Sequence, residues 1–327
     1  MTASDLRLVP ARRLVVAPVD AVFALEPGDR PLVSAGDSVV VGAPIAERLR
    51  DRRLEELDPP EVAPHPGDRW IEPPRRGDEP GSGGEYVFLW HDRWRVALGD
   101  LSDPLESPFA GIVREVRPGV GITIRAAGRG IRGIVGLGAP TRGRLQPGPE
   151  GELRSGGLDV GAAGTILVVG SRVDAETLTR ARAMGVGGIV VAGLSSKERR
   201  DFIASEARQH AALHRLPSFA VLVLDGALRR PLAGAVQAVL AALAGHEVAI
   251  VTDPPMLVFD LPNLVIPAPP EDLVRIRAGS LAGREGRFIE AIGQRRFTGG
   301  VQLEAGLVQL PDGTSAAVPL GDLERFV

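Results

Sequence analysis

Thr165-Ile-Leu-Val-Val-Gly170, Gly188-Ile-Val-Val-Ala-Gly193 and Phe219-Ala-Val-Leu-Val-Leu-Asp225 are the runs whose reading decides the fold. Each is short, rich in β-branched residues and apolar at nearly every position rather than at alternate ones, as in strands covered on both faces. Between the first two lies a helical pattern, Asp174 to Met184, with Asp174 placed to accept an orphan backbone N–H and a Gly stop at its end. Ser195-Ser196 is placed to cap a second helix, Lys197 to His214. Leu232 to Leu243, Ala- and Leu-rich and almost uncharged, reads as a helix packed on a sheet. The expectation is a central α/β domain over residues 158–266 with a mostly parallel sheet. Val248-Ala-Ile-Val251 and Leu264-Val-Ile266 would be its closing strands.

The flanks read as β-rich. Gly36-Asp37 between apolar runs predicts a hairpin. Tyr86 to Trp90 and Arg93 to Ala97 predict two strands about a turn at His91-Asp92, and Gly121 to Arg125 and Ile131 to Leu137 add further strands. Asp51 to Gly84 is dominated by Pro, Gly and charge, has no face to bury, and reads as a long mobile insertion. Pro147 to Gly157 is a linker into the central domain, and Pro267-Ala-Pro-Pro270 is a stiff one out of it.

Composition narrows the function. The chain has 327 residues, room for two or three domains, and its Gly 41 and Pro 28 suit short strands and frequent turns. A net charge of -3 argues against a broad nucleic-acid-binding surface and leaves room for a local patch. Cys 0 excludes disulfides, zinc–thiolate sites, thiol nucleophiles and cysteine-ligated iron–sulfur clusters. The first residues lack the apolar core of a signal peptide. Leu232 to Gly245 is shorter than the roughly 20 residues that span a bilayer, so the expectation is a cytoplasmic protein without a membrane partner. Lys197 is the only lysine, so a Schiff base or a lysine-borne cofactor has one possible position.

Two segments, Gly36-Asp-Ser-Val-Val-Val-Gly42 with Pro44-Ile-Ala46, and Ser107-Pro-Phe-Ala-Gly-Ile-Val113 with Pro118-Gly119, resemble the paired halves of a barrel-sandwich hybrid. That is the fold of biotinyl and lipoyl domains. The resemblance implies this fold for residues 1–146. The carrier lysine of those domains has no counterpart here, which implies no covalent biotin or lipoate and no other cofactor. Val274-Arg-Ile-Arg-Ala-Gly-Ser-Leu-Ala-Gly-Arg-Glu-Gly-Arg-Phe-Ile289 resembles the KOW motif of small SH3-like barrels, with Gly283 and Gly286 at the loop. A further hairpin on Asp312-Gly313 and Leu320 to Glu324 would complete a barrel over residues 271–327. The three-module order resembles uncharacterised bacterial KOW-domain-containing proteins.

Barrels of the KOW type contact RNA or RNA polymerase. That resemblance implies a basic patch from Arg275, Arg277, Arg284, Arg287, Arg295 and Arg296, with Phe288 or Phe297 as a stacking surface. The alternative is that the arginines solvate the barrel, offset by Glu285, Glu290, Glu304, Asp312, Asp322 and Glu324, while the Phe residues fill its core. In the central domain the loops after the strands bring Ser171, Asp174, Ser195, Ser196 and Asp225 to the sheet's carboxyl edge, where α/β folds bind ligands. Ordinary helix capping is the competing reading, since neither a Walker loop nor a dinucleotide fingerprint is present. His210 and His214 share a helix face, but Ala211 stands where a zinc-protease helix has Glu, and no metal site is expected. No catalytic constellation is legible. The expectation is a non-enzymatic adaptor that docks protein partners through its β modules. The alternatives are RNA or transcription-machinery binding by the terminal barrel, and a small-molecule sensor or enzyme in the central domain.

Overall fold

The computed structural model describes residues 5–25, 29–49, 53–56, 86–90, 93–98, 101–212 and 217–327. The chain is mixed α/β and dominated by strands, with three α-helices among the described residues: α1 (Ala175–Ala183), α2 (Ser196–Ala212) and α3 (Gly234–Ala242).

The three apolar runs form adjacent parallel strands, Thr165–Val173, Gly188–Gly193 and Ala220–Val223, joined on one side by the parallel strand Thr141–Pro147. Successive side chains point to opposite faces. Val169, Val191 and Val221 pack with Leu178 of α1 and Phe202 of α2. Ile166, Val190 and Leu222 face the other way, onto Val236, Val239 and Leu240 of α3. Burial on both faces is why these runs carry no polar alternation.

The sheet as a whole is mixed, which corrects the expectation of a mostly parallel one. Glu247–Thr252, Pro255–Phe259 and Arg129–Arg132 extend it antiparallel on one side, and Val135–Gly138 on the other. Residues 129–147 therefore belong with the central sheet and not with the N-terminal module. They also join its two ends. Gly133 N–H donates to Pro255 O (2.9 Å) and Ile134 N–H to Val223 O (2.7 Å), so one stretch of chain leaves one end of the sheet and pairs with the other. The curl brings strands so close that a Cβ on Gly136 would stand 2.7 Å from Thr252 Cα. Ile131, Leu145, Leu222, Ile250 and Leu257 line the inner face, with α3 packed among them. Leu264-Val-Ile266 is not a strand; Leu264 and Ile266 pack onto this core from an extended, proline-flanked segment.

The N-terminal module is a pair of sheets. Asp20–Ala24, Gly121–Ala126, Gly111–Arg117 and Ser38–Val39 form one; Arg30–Pro31, Pro44–Leu49 and Leu101–Glu106 form the other. Gly36, at φ +96°, turns the chain from one sheet to the other, so Gly36-Asp37 closes no hairpin. Phe23, Ile45, Phe109, Ile122 and Ile124 fill the core, which continues onto Ala249, Val251, Met256 and Val258 of the central sheet. Tyr86–Trp90 and Arg93–Leu98 pair antiparallel as expected, but Arg53–Glu56, read as insertion, is their third strand. The rest of that insertion from residue 57, and the turn at His91-Asp92, lie outside the described residues.

The last module is a run of antiparallel strands, Leu273–Ile276, Glu285–Arg296, Gln302–Gln309, Ser315–Pro319 and Leu323–Phe326, the last returning to pair with the first. Its sixth strand comes from the other end of the chain. Ala11–Arg12 lies parallel to Leu323–Phe326, and Val9 is buried in the module's core with Val274, Phe288, Val308 and Leu323. The opening residues thus belong with the C-terminal sheet rather than with a module over 1–146. No described helix is long and apolar enough to cross a membrane.

Candidate functional site

Strand Leu273–Ile276 is enclosed on both faces, because the side that would meet water in an isolated C-terminal module lies against the central domain. Val274 and Ile276 point into the module's core, and Arg275 points the other way with 0% exposure. Its Nη1 donates to Asp225 (2.8 Å) and its Nη2 to Pro231 O (2.6 Å), with Glu324 3.8 Å away. Asp225, its side chain 4% exposed, accepts a second hydrogen bond from Arg12 (2.9 Å). Arg275 is therefore not part of a surface patch, and the Asp225 carboxylate is held by two arginines of its own chain. Charge-assisted pairs of this kind satisfy buried ions that would otherwise be costly.

Two more contacts lock the same seam. Arg230 donates to Arg277 O (3.2 Å), and Glu285 accepts from Gly234 N–H (2.8 Å) in the first turn of α3, where orphan donors and the helix dipole favour a carboxylate. Burial nevertheless pushes the Glu285 carboxyl above its ordinary 4.5; Glu324 and Asp225 add to the rise, while Gly234 N–H and Arg275 oppose it. A raised carboxyl binds its proton more readily in the folded protein than in the unfolded chain. Stability attributable to Glu285 therefore falls as pH rises through its folded pKa. Glu285→Gln keeps an oxygen for Gly234 and removes the buried charge. It is expected to be more stable than the wild type at pH 7, with the gap shrinking toward pH 4.5. Urea unfolding across that range checks this, and a gap that widens on acidification would refute it.

The remaining arginines of the C-terminal module do not converge. Arg284 pairs with Asp312 (2.7 Å), whose carboxyl is held far below the usual range by the Thr314 hydroxyl, Arg284 and the Thr314 N–H. Arg287 pairs with Asp272 (2.7 Å). Arg277 is exposed beside the seam, while Arg295 and Arg296 are exposed at the far end of Glu285–Arg296. Phe288 is 3% exposed in the core and offers no stacking face; Phe297 is half-buried beyond the strand's end.

At the sheet's carboxyl edge, capping accounts for most of the candidates. Ser171 is buried inside strand Thr165–Val173, which runs past Gly170 because Glu152–Leu153 pairs with its end. Asp174 accepts from Thr177 N–H (2.6 Å), and Ser195 Oγ from Glu198 N–H (3.2 Å). Ser196 is the exposed first residue of α2. Glu198, which the sequence did not single out, accepts from Ala175 N–H (2.9 Å) and Arg172 (3.2 Å), so α1 and α2 begin on donors already occupied by their own chain. Asp225 is a backbone neighbour of this edge through Ala192 O, yet its side chain turns to Arg275 of the C-terminal module.

Lys197 is exposed in the first turn of α2. Among the described residues no three His, Asp or Glu side chains cluster as metal ligands do, and His214 lies outside them. Arg12, Arg230 and Glu285 complete the seam without any local motif; Arg12 and Asp225 are 213 positions apart. Compared with family models, curated proteins and solved structures, the chain matches none.

Proposed function

We propose that this protein is a non-enzymatic adaptor that docks a protein partner through its C-terminal β module, by adding a strand to a projecting arm. One observation carries the reading. Strand Glu285–Arg296 pairs with Leu273–Ile276 only over residues 285–287, and Gln302–Gln309 pairs with Ser315–Pro319 only over 305–309. Beyond those points the two strands continue as a two-stranded arm. It bends at register shifts after Phe288 and Ala291, with Gly293 at φ +70°, as bulged strands do.

Beyond Phe288, whose N–H donates to Asp272 O (2.8 Å), no strand among the described residues pairs with the outer side of the arm, which leaves a strand edge for a partner. Arg295 and Arg296 are exposed and have no ion pair among the described residues, next to Val301 (54% exposed) and Leu303 (41% exposed). A segment with alternating acidic and apolar side chains matches that surface. The order of strands, with the 3-10 turn Leu320–Asp322 before a last strand that returns to the first, supports an SH3-like barrel of the KOW type. Strand exchange between the two halves of the N-terminal module supports the barrel-sandwich reading, and the absence of a lysine there supports a structural role.

The test is affinity capture from host lysate, with and without nuclease, using the full chain and a variant in which residues 293–303 are replaced by a short turn. A protein partner that survives nuclease and is lost with the arm is the expected result. Capture that disappears with nuclease would replace this reading with RNA binding through Arg295, Arg296 and Phe297. Removing the whole module is the wrong control, because it would strip the cover from Asp225 and α3.

A further inference from the structure

We propose that the cleft where the three modules meet binds a phosphate-bearing small molecule of about nucleotide size. The cleft has a volume of about 960 Å³ and is lined by Arg12, Arg13, Arg132, Arg230 and Arg277, which come from the opening segment, the central domain and the barrel. That is near the upper end of ordinary small-ligand sites, roughly 300–1,000 Å³.

The charges around it do not balance. Arg13, Arg132 and Arg277 are exposed, and their side chains have no ion pair among the described residues. The lining carboxylates are mostly taken. Asp225 holds Arg12 and Arg275, Asp20 holds Arg125 at 2.7 Å, and Glu324 stands 3.8 Å from Arg275. Among the lining carboxylates, only Asp322 is left without an ion pair among the described residues. A planar guanidinium presents a fork of donors that matches phosphate oxygens.

The arginines are also close to one another. Arg12 Nη2 lies 3.5 Å from the backbone O of Arg132, and Arg230 Nη1 donates to the backbone O of Arg277 at 3.2 Å, so two of the three exposed arginines spring from backbone that a second guanidinium touches. Arg230 Nε is buried with no acceptor among the described residues, a costly state for a charged donor. Burial holds the Arg230 pKa down, and Arg275 and Arg277 lower it further against the opposing pull of Asp225 and Glu324. Like charges gathered in this way are relieved by a bound anion. The lining also includes Val16 and Ile134, the latter 58% exposed, which suits a planar or apolar body attached to the phosphate.

The inference is independent of the arm, and its test uses different residues. Calorimetric titration of the full chain with ADP and with inorganic pyrophosphate is expected to show binding that weakens as salt is raised. Arg132→Ala and Arg277→Ala, both at exposed positions, are each expected to weaken it about tenfold. Arg180→Ala, exposed on α1 and outside the cleft, is expected to leave it unchanged. Failure of both probes to bind overturns the proposal, as does equal weakening by Arg180→Ala, which would reveal only diffuse charge attraction. A single-stranded oligonucleotide that displaces ADP and binds more tightly would overturn the small-molecule assignment and make the cleft a nucleic-acid site.

Discussion

Asp225→Ala is expected to lower the stability of the folded protein by about 3–5 kcal/mol, the usual consequence of leaving one partner of a buried ion pair uncompensated. Arg275 has 0% exposure, so its charge would keep Pro231 O and the more distant Glu324 among the described residues. Arg12 would lose its carboxylate at the same moment. Asp225→Asn keeps the shape and one acceptor oxygen and should fall between the two. The sharper measurement is the double substitution Asp225→Leu with Arg275→Met, followed by urea unfolding. Removing both charges together should recover most of the loss, because the cost lies in the stranded charge rather than in the pair. If the double variant is as unstable as the sum of the singles, the seam owes its strength to packing.

Deleting residues 1–14 should be comparably damaging, although the deletion touches no element of the N-terminal β module. Val9 is 2% exposed in the core of the C-terminal module and Leu14 is 5% exposed in the central core. Each buried side chain contributes about 1.5–3 kcal/mol. The deletion also removes the backbone bonds from Arg325 N–H to Pro10 O, Val327 N–H to Arg12 O and Leu14 N–H to Val327 O, and the Arg12 partner of Asp225. The truncated chain is expected to unfold at markedly lower urea, and protease should cut first in the strands from Leu273 onward. Arg13→Ala, an exposed change in the same segment, should shift stability by less than about 0.5 kcal/mol. An unchanged unfolding midpoint for the truncation would mean that the opening strand is only a passenger on the C-terminal sheet.

Much of the architecture was legible because it depends on near neighbours in the chain. The runs at 165, 188 and 219 announced buried parallel strands through unbroken apolar composition, and Asp174 announced the start of α1 through its capping chemistry. The turns at Asp312-Gly313 and Pro118-Gly119 were equally local. Local signals did not say which sheet a strand joins. Ile131 to Leu137 looks like any short strand, and only its pairing with residues from 256 to 259 and from 220 to 223 assigns it to the central sheet.

The candidate site was legible in its residue types but not in their roles. The same arginine and aspartate letters describe an exposed patch and a buried ion pair; the difference is what packs over them. Arg275 lies on a strand whose second face is covered by the central domain, so it points inward to Asp225, fifty positions earlier. Arg12 reaches the same carboxylate from 213 positions away. By itself, the sequence determined the three parallel strands, the helices and the caps of α1 and α2, the absence of thiol chemistry, and a single possible lysine site at Lys197. Only the tertiary structure decided that the two ends of the chain share one sheet, that Asp225 serves a seam instead of a ligand, and which arginines remain free. Patterning and capping act over a few residues, whereas burial and charge pairing depend on surfaces the chain brings together only when it folds.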